Sequence, residues 1–190
     1  MTAFQRALTS LLLWWETDTI TAMIIGGIAA SLLGKPRLTQ DIDALIDMPE
    51  DQLENFFKRA PFFGFEPRRP DAFKFAKKNR VLLLRHSDSG INVDLSLAGL
   101  PFEKESFQRS IRVNLEELSL PLPTPEDLII MKAVAHRPKD LLDIEALLEI
   151  HKKLDIPRIK KWVREFSQAL EQPEMYQDLK KLLKKRHSPT

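Results

Sequence analysis

The sequence predicts an α+β fold, with a small mixed-sheet core and flanking helices over residues 1–120 and a helical part over residues 121–190. Two observations support this division. Up to about Leu120, short apolar runs bounded by turn-forming residues alternate with helical patterns. Beyond a proline-rich stretch at residues 118–128, every apolar pattern has the spacing of an amphipathic helix. We therefore expect one sheet-containing domain followed by a helical region.

The predicted core places glycines and acids near strand ends. Apolar residues at helical spacing predict a first helix that puts Trp14 or Trp15 on the core. A short strand follows and ends at Gly26 and Gly27. The predicted helices of this part cover residues 2–16, 28–33 and 51–59, and the predicted strands cover residues 22–25, 41–47, 72–75, 81–85 and 91–97.

A hairpin and four C-terminal helices complete the prediction. Asp88, Ser89 and Gly90 have the composition of a tight turn between the last two strands. Thr124 is a plausible helix N-cap, with Pro125 at the first helical position. The C-terminal helices are expected at residues 126–135, 139–152, 157–168 and 173–186.

Composition excludes several classes of protein and site. Hydrophobic residues make up 43% of the chain and charged residues 29%, which is typical of a folded globular protein. The chain has no cysteine, so a metal would need oxygen or imidazole ligands, which favours hard divalent ions. Because no apolar run reaches the length of a membrane span and no secretory signal is evident, we expect a cytoplasmic protein with no membrane partner.

Two acids separated by one residue suggest a metal site. Side chains at i and i+2 of a strand point to the same face, so Asp41 and Asp43 would lie together and repel. A divalent cation relieves this repulsion, and oxygen ligands suit Mg²⁺ or Mn²⁺. If the hairpin pairs beside this strand, Asp94 becomes a third ligand. Asp88 is an alternative third acid, but its place in the turn favours Asp94.

Each feature also has an ordinary structural interpretation. Asp41 can cap a turn, and Asp43 can pair with Arg37 or Lys35. Asp94 can face solvent. The glycine pair can form a tight turn between strand and helix, instead of presenting backbone N–H groups to a phosphate.

Two stretches of the chain resemble a known family. The segment IIGGIAASLLGKPRLTQDIDALID at residues 24–47 resembles nucleotidyltransferase-fold proteins of the DNA polymerase β superfamily, in particular the AbiEii/AbiGii-like group of toxin–antitoxin and phage-defence loci. The shared order is GG, then RxT, then DxD. The segment EDLIIMKAVAHRPKDLLDIEAL at residues 126–147 is similar to the helical motif of that group. Many members of the wider superfamily have serine where this chain has Gly27.

The resemblance implies an NTP-dependent nucleotidyltransferase that uses magnesium or manganese and releases pyrophosphate. A general base for the acceptor hydroxyl would be Asp94. Without the resemblance, Lys132 is better interpreted as a solvated surface lysine. The residues implied by motif are Asp41, Asp43 and Asp94 for the metal, Gly26, Gly27, Lys132, Asp140 and Asp143 for the nucleotide, and Asp41, Asp43, Asp94 and Lys132 for catalysis.

Two basic regions suggest a polyanionic acceptor such as RNA. Residues 68–85 contain seven basic side chains and one acid, and residues 158–190 contain nine basic side chains and four acids. The resemblance favours a tRNA-like acceptor and a cognate antitoxin as a further partner. The lysines expected to bind RNA share one side of the last helix, and they are Lys180, Lys181, Lys184 and Lys185. The alternative is a solvated helix face.

Two other functions are compatible with the pattern. One is a catalytically silent nucleotidyltransferase-fold protein that binds RNA or a protein partner as a regulator, but none of the expected acids is missing. The other is a metal-dependent glycosyltransferase with a DxD motif. The upstream glycine pair and the helical motif between Lys132 and Asp143 argue against it.

Overall fold

The computed structural model describes residues 1–186. The chain divides into two compact units. The first unit contains Met1–Ile28 and Leu38–Leu122, and the second contains Ala29–Arg37 and Pro123–Thr190. The domain boundary predicted from the sequence lies at residues 120 and 121, and it did not separate the segment Ala29–Arg37 from the core. Residues 187–190 of the predicted helical region lie outside the described residues.

Helices and strands alternate through the first unit, and helices follow in the second. The α-helices of the described residues are α1 (Ala3–Thr17), α2 (Gly26–Leu33), α3 (Leu53–Arg59), α4 (Ala72–Asn79), α5 (Pro101–Arg109), α6 (Pro125–Ala135), α7 (Pro138–Ile150), α8 (Ile156–Ala169) and α9 (Pro173–Lys185). The strands are β1 (Thr21–Ile24), β2 (Ile42–Asp47), β3 (Phe65–Pro67), β4 (Val81–His86), β5 (Asn92–Leu97), β6 (Ile111–Leu115) and β7 (Leu118–Leu122).

The first unit is built on a five-stranded mixed sheet with the strand order β1-β2-β5-β4-β3. Strands β2 and β5 run parallel, and the other neighbouring pairs are antiparallel. Strands β6 and β7 form a separate antiparallel pair. The mixed sheet with flanking helices confirms the predicted α+β class.

The core of the first unit packs around Trp14 of α1. This residue is fully buried and stacks on Phe56 of α3 with ring centroids 4.1 Å apart. Its ring also stacks on Phe63 and Phe65, with centroids 5.6 Å away in both cases. Trp15 is buried as well, so both tryptophans of the predicted helix face the core. Stacked aromatic rings of this kind contribute beyond their buried area.

The second unit consists largely of amphipathic helices. Thr124 caps α6, and its side chain accepts a hydrogen bond from the Asp127 backbone N–H at 3.2 Å. Asp127 is fully buried, and its Oδ1 accepts a hydrogen bond from Arg158 Nε of α8 at 2.9 Å. Helix α9 buries Leu179 and Leu183. The four predicted C-terminal helices are therefore confirmed to within two residues at each end.

Several predicted elements of the core were wrong or missing. Residues 72–75 are part of helix α4, because the alternation of Phe and Lys that predicted a strand also places Ala72 and Ala76 on one buried helical face. Strand β3, helix α5 and strands β6 and β7 were not predicted. Strand β7 contains Pro121, which is tolerated because a two-stranded sheet consists of edge strands only.

None of the helices within residues 1–186 combines the length and the apolar character that crossing a membrane requires.

Candidate active site

The sheet brings Asp43 and Asp94 side by side. These residues are Cα partners in the parallel pair β2 and β5, and paired residues on neighbouring strands point to the same face. Leu83 of β4 is the partner of Asp94 on its other side. Arg68 follows β3, and its backbone N–H donates to the Leu83 carbonyl oxygen at 3.0 Å. We call this line of four residues across one face, Asp43, Asp94, Leu83 and Arg68, the acid row.

An arginine neutralises one of the two acids. Arg68 Nη2 donates a hydrogen bond to Asp94 Oδ1, and the two side chains form an ion pair. The side chains of Arg68 and Asp94 are 25% and 36% exposed, so the pair is partly shielded from water. Arg68 Nε is buried and has no hydrogen-bond partner among the described residues.

Asp41 lies immediately before β2, two residues from Asp43 and directed to the same side of the chain. Its Oδ1 accepts a hydrogen bond from Asn92 Nδ2 of β5 at 3.2 Å. The hydroxyl of Thr39 donates to the Asp41 backbone carbonyl at 3.2 Å. Strand β5 therefore provides a neighbour for each acid of the DxD motif, Asn92 for Asp41 and Asp94 for Asp43.

Gly26 starts helix α2 in close contact with Asp43. The preceding residue, Ile25, donates its backbone N–H to the Asp43 carbonyl at 2.9 Å. Gly26 has a φ of +64°, which favours glycine, and a Cβ atom at this position would lie 2.6 Å from the Cβ of Asp43. Gly27 is a buried residue in the first turn of the same helix. Glycine is therefore required where the first turn of α2 meets the acid.

The electrostatics of the acid row suit a divalent cation. Burial raises the pKa of the Asp94 carboxyl above its ordinary value, the Arg68 guanidinium opposes this rise, and the charges of Asp43 and Asp41 add to it. Carboxylate oxygens that repel one another in this way are the ligands that Mg²⁺ and Mn²⁺ prefer. The residue types on this face therefore suit the hard divalent cation that the DxD motif implies.

Lys132, Asp140 and Asp143 meet in the second unit as a buried ion cluster. Lys132 Nζ donates to Asp140 Oδ1 at 3.0 Å and to Asp143 Oδ2 at 2.7 Å. Lys132 is only 3% exposed, and Asp140 is fully buried. The interpretation of Lys132 as a solvated surface lysine was therefore wrong.

Two arginines connect this cluster to the surface of the second unit. Arg37 donates to both carboxylate oxygens of Asp143, from Nε at 2.9 Å and from Nη2 at 3.1 Å. Arg137 donates in the same bidentate way to Asp140, at 2.5 and 3.1 Å. Burial raises the pKa of Asp140, but hydrogen bonds from Arg137 and Lys132 outweigh it and hold this pKa below its ordinary value. Of the two alternative partners suggested for Asp43, Lys35 pairs with Glu149 instead.

The candidate RNA-binding lysines lie on the exposed side of α9. Lys180, Lys181, Lys184 and Lys185 are all exposed. Two of them have acidic partners, with Lys181 bonded to Asp178 at 2.8 Å and Lys185 to Glu145 at 3.2 Å. In the other basic region, residues 68–85, ion pairs likewise join Arg69 to Asp71, Lys77 to Glu50 and Arg80 to Glu103.

The sequence analysis assigned no individual role to three residues of these sites, Arg68, Asn92 and Arg137, and it considered Arg37 only as a possible partner of Asp43. Arg68 and Asn92 reach the acids only because of the strand order, which no local pattern reveals. Arg37 and Arg137 belong to the quoted motifs, and the spacing of Arg137 and Asp140 is that of a helix start, so both were detectable in principle.

The fold is shared with several proteins of known structure. The lincosamide antibiotic adenylyltransferase LnuA, bound to lincomycin, is 15% identical with a TM-score of 0.53, over 76% of this chain and 96% of that one. The antibiotic-resistance factor ANT(2″)-Ia is 14% identical with a TM-score of 0.61, over 93% and 98%. An antigenic nucleotidyltransferase-like protein from Paracoccidioides brasiliensis is 18% identical with a TM-score of 0.54, over 92% and 91%.

Sequence comparison identifies the family, although no curated protein matches the chain. The sequence profile of a family described as "Nucleotidyltransferase of unknown function (DUF6036)" matches residues 5–187. The match covers both units, including the acids and glycines described above. The chain belongs to this family and is therefore a nucleotidyltransferase.

Proposed function

We propose that this enzyme transfers a nucleoside monophosphate from an NTP to an acceptor hydroxyl, with Asp41, Asp43 and Asp94 as ligands of Mg²⁺ or Mn²⁺. The observation that carries the proposal is the pairing of Asp43 with Asp94 on one face of the sheet, beside the glycine turn of α2. A cation relieves the repulsion between adjacent carboxylates, and nucleotidyl transfer uses a cation at the phosphates.

The chemistry requires few groups from the protein. The acceptor oxygen forms a bond to the α-phosphorus, the bond from that phosphorus to the leaving oxygen breaks, and pyrophosphate departs. Asp94 accepts the proton of the hydroxyl as the general base. The bound cation would supply neutralisation of the charge that builds up on the phosphate oxygens. Gly26 and Gly27 support phosphate binding, since their helix start can present backbone N–H groups.

For the second unit we propose a role in nucleotide binding. Lys132, Asp140 and Asp143 are buried, so the contacts that support this role run through the arginines they hold in place. Arg37 and Arg137 are 32% and 56% exposed, and a guanidinium group held in one orientation by a carboxylate suits the charged oxygens of a phosphate. Lys132 thus acts as a positioning residue.

The proposed acceptor is RNA with a tRNA-like 3′ end. The exposed lysines of α9 support it, because a row of ammonium groups suits a phosphate backbone. A second candidate is a small hydroxyl compound, which is favoured by the similarity in fold to the antibiotic adenylyltransferases. The resemblance to the AbiEii/AbiGii-like group supports a role as a cytoplasmic toxin or defence component with a cognate antitoxin.

Replacing Asp43 by Asn tests the metal role. The change keeps the shape of the side chain but removes one charged metal ligand, so we expect a loss of turnover of at least about 100-fold with an unchanged melting temperature. Asp47→Asn is the matched control, because Asp47 is an exposed residue at the other end of β2 and should keep full activity. Parent-like turnover of the Asp43→Asn enzyme with labelled NTP would refute the metal role and favour another catalytic group.

Replacing Lys132 by Met tests the buried cluster. Two buried carboxylates would lose a shared cation, and we expect the free energy of unfolding to fall by about 3–5 kcal/mol. The remaining folded enzyme should bind nucleotide more weakly, because Asp140 and Asp143 no longer hold the arginines in one orientation. Denaturant unfolding and nucleotide titration measure the two effects, with the exposed Lys139→Met as control. Unchanged nucleotide affinity of folded Lys132→Met would exclude a role in binding.

Changing the four lysines of α9 to Gln tests the RNA-binding surface. For each lysine–phosphate interaction that is removed, the slope of log affinity against log salt concentration should become less steep by about 0.7 to 0.9. The control carries the same charge change at exposed lysines elsewhere, namely Lys104→Gln, Lys139→Gln, Lys152→Gln and Lys153→Gln. RNA affinity is measured across a salt series for both variants. Equal slopes for the two variants would show that α9 does not contact the acceptor and would move the proposed surface to residues 68–85.

A further inference from the structure

Arg68 is the ion-pair partner of Asp94. Its guanidinium forms the ion pair that opposes the repulsion between Asp94 and its neighbour Asp43. The neighbouring Arg69 does not share this role, since it pairs with Asp71 and lies over the ring of Phe75 at 4.3 Å. Of the two adjacent arginines, Arg68 therefore pairs with Asp94 and Arg69 pairs with Asp71.

The sheet fixes Arg68 at this position. Pro67 of β3 pairs with Leu84, and Arg68 continues the same register opposite Leu83. Leu83 is in turn the partner of Asp94, so the arginine reaches the acid across one intervening strand. A contact held by backbone pairing on both sides differs from a surface ion pair between two mobile side chains, which contributes little.

The side chains of the site are arranged around Arg68 and Asn92 instead of around one common point. Asp94 is directed to Arg68, and Asp41 is directed to Asn92. Among residues 1–186, no group of three or more His, Asp or Glu side chains is placed so that it could hold a metal ion. A divalent cation bound by all three acids would therefore have to share the Asp94 carboxylate with Arg68 or displace it.

We propose that Arg68 is the resident counter-ion of Asp94 and competes with the divalent cation for it, so that this arginine sets the metal affinity of the site. The inference rests on the proposed function, because it concerns the same three acids. Arg68 holds Oδ1 of Asp94, and a metal ion bound to either oxygen of the same carboxylate would lie near the guanidinium, so their positive charges repel and each weakens the binding of the other. Arg68 also keeps the acid row partly neutral before substrate arrives, which limits the cost of two adjacent carboxylates.

Metal binding by the complete chain, without nucleotide, tests the competition. Mn²⁺ is titrated at constant pH and followed by electron paramagnetic resonance. In Arg68→Gln the competing charge is absent, and we expect Mn²⁺ to bind roughly tenfold more tightly, which is within the usual range for two ligands coupled at one site. Arg68→Lys keeps a positive charge and should remain near the parent value. Arg69→Gln removes a neighbouring charge outside the acid row and should also remain near it.

The outcomes separate this inference from the proposed function. Tighter binding in Arg68→Gln alone, with Arg68→Lys and Arg69→Gln near the parent, supports the competition. Parent-like or weaker affinity in Arg68→Gln overturns it, while the metal site stands if Asp43→Asn binds Mn²⁺ more weakly than the parent. If the parent and Asp43→Asn bind Mn²⁺ equally, the acids do not form a metal site, and both the inference and the metal role fail. Melting temperatures identify any variant that is not folded.

Discussion

The arrangement of the first unit depends on two carboxylates held side by side by backbone pairing. Asp43 and Asp94 are register partners on parallel strands, so neither can move away from the other without breaking the sheet. Their repulsion has to be offset by positive charge, which Arg68 provides in this structure and a divalent ion would provide during transfer. The glycine at the start of α2 is required for the same reason, because only a residue without a side chain fits beside Asp43.

The second unit also holds two carboxylates close together, and buried ion pairs compensate their charges there. Asp140 and Asp143 share Lys132, and each also receives two hydrogen bonds from its own arginine. A buried carboxylate without such partners would be strongly destabilising, so the five residues of the cluster form one interdependent network. The motif that suggested direct nucleotide contact by Lys132 therefore has a structural component: the lysine organises acids, and the acids orient the arginines that reach solvent.

The sequence predicted those parts of the molecule that depend on local patterns. The helices of the second unit, the hairpin at Asp88, and the strand that carries Asp43 were all recognisable from apolar spacing and turn residues. Strand β3 was missed because three residues are too few to show a pattern, and Arg68 was missed as a site residue because its contact depends on the order of strands in the sheet. Helix α4 was wrongly predicted as a strand because its alternating residues satisfy both periods. Features that depend on local patterns were therefore predictable from the sequence, whereas contacts that depend on the pairing of distant strands required the structure.

The central claim is that the protein uses the acid row to transfer a nucleoside monophosphate. The most direct test is to follow which phosphate of a labelled NTP reaches the acceptor. The enzyme is incubated with magnesium, total RNA and NTPs labelled at either the α- or the γ-phosphate. Our account predicts that RNA acquires label only from the α-labelled NTPs, that labelled pyrophosphate forms from the γ-labelled ones, and that chelation of the metal stops both. Transfer of the γ-label to an acceptor, or transfer of the α-label that persists after chelation, would contradict it.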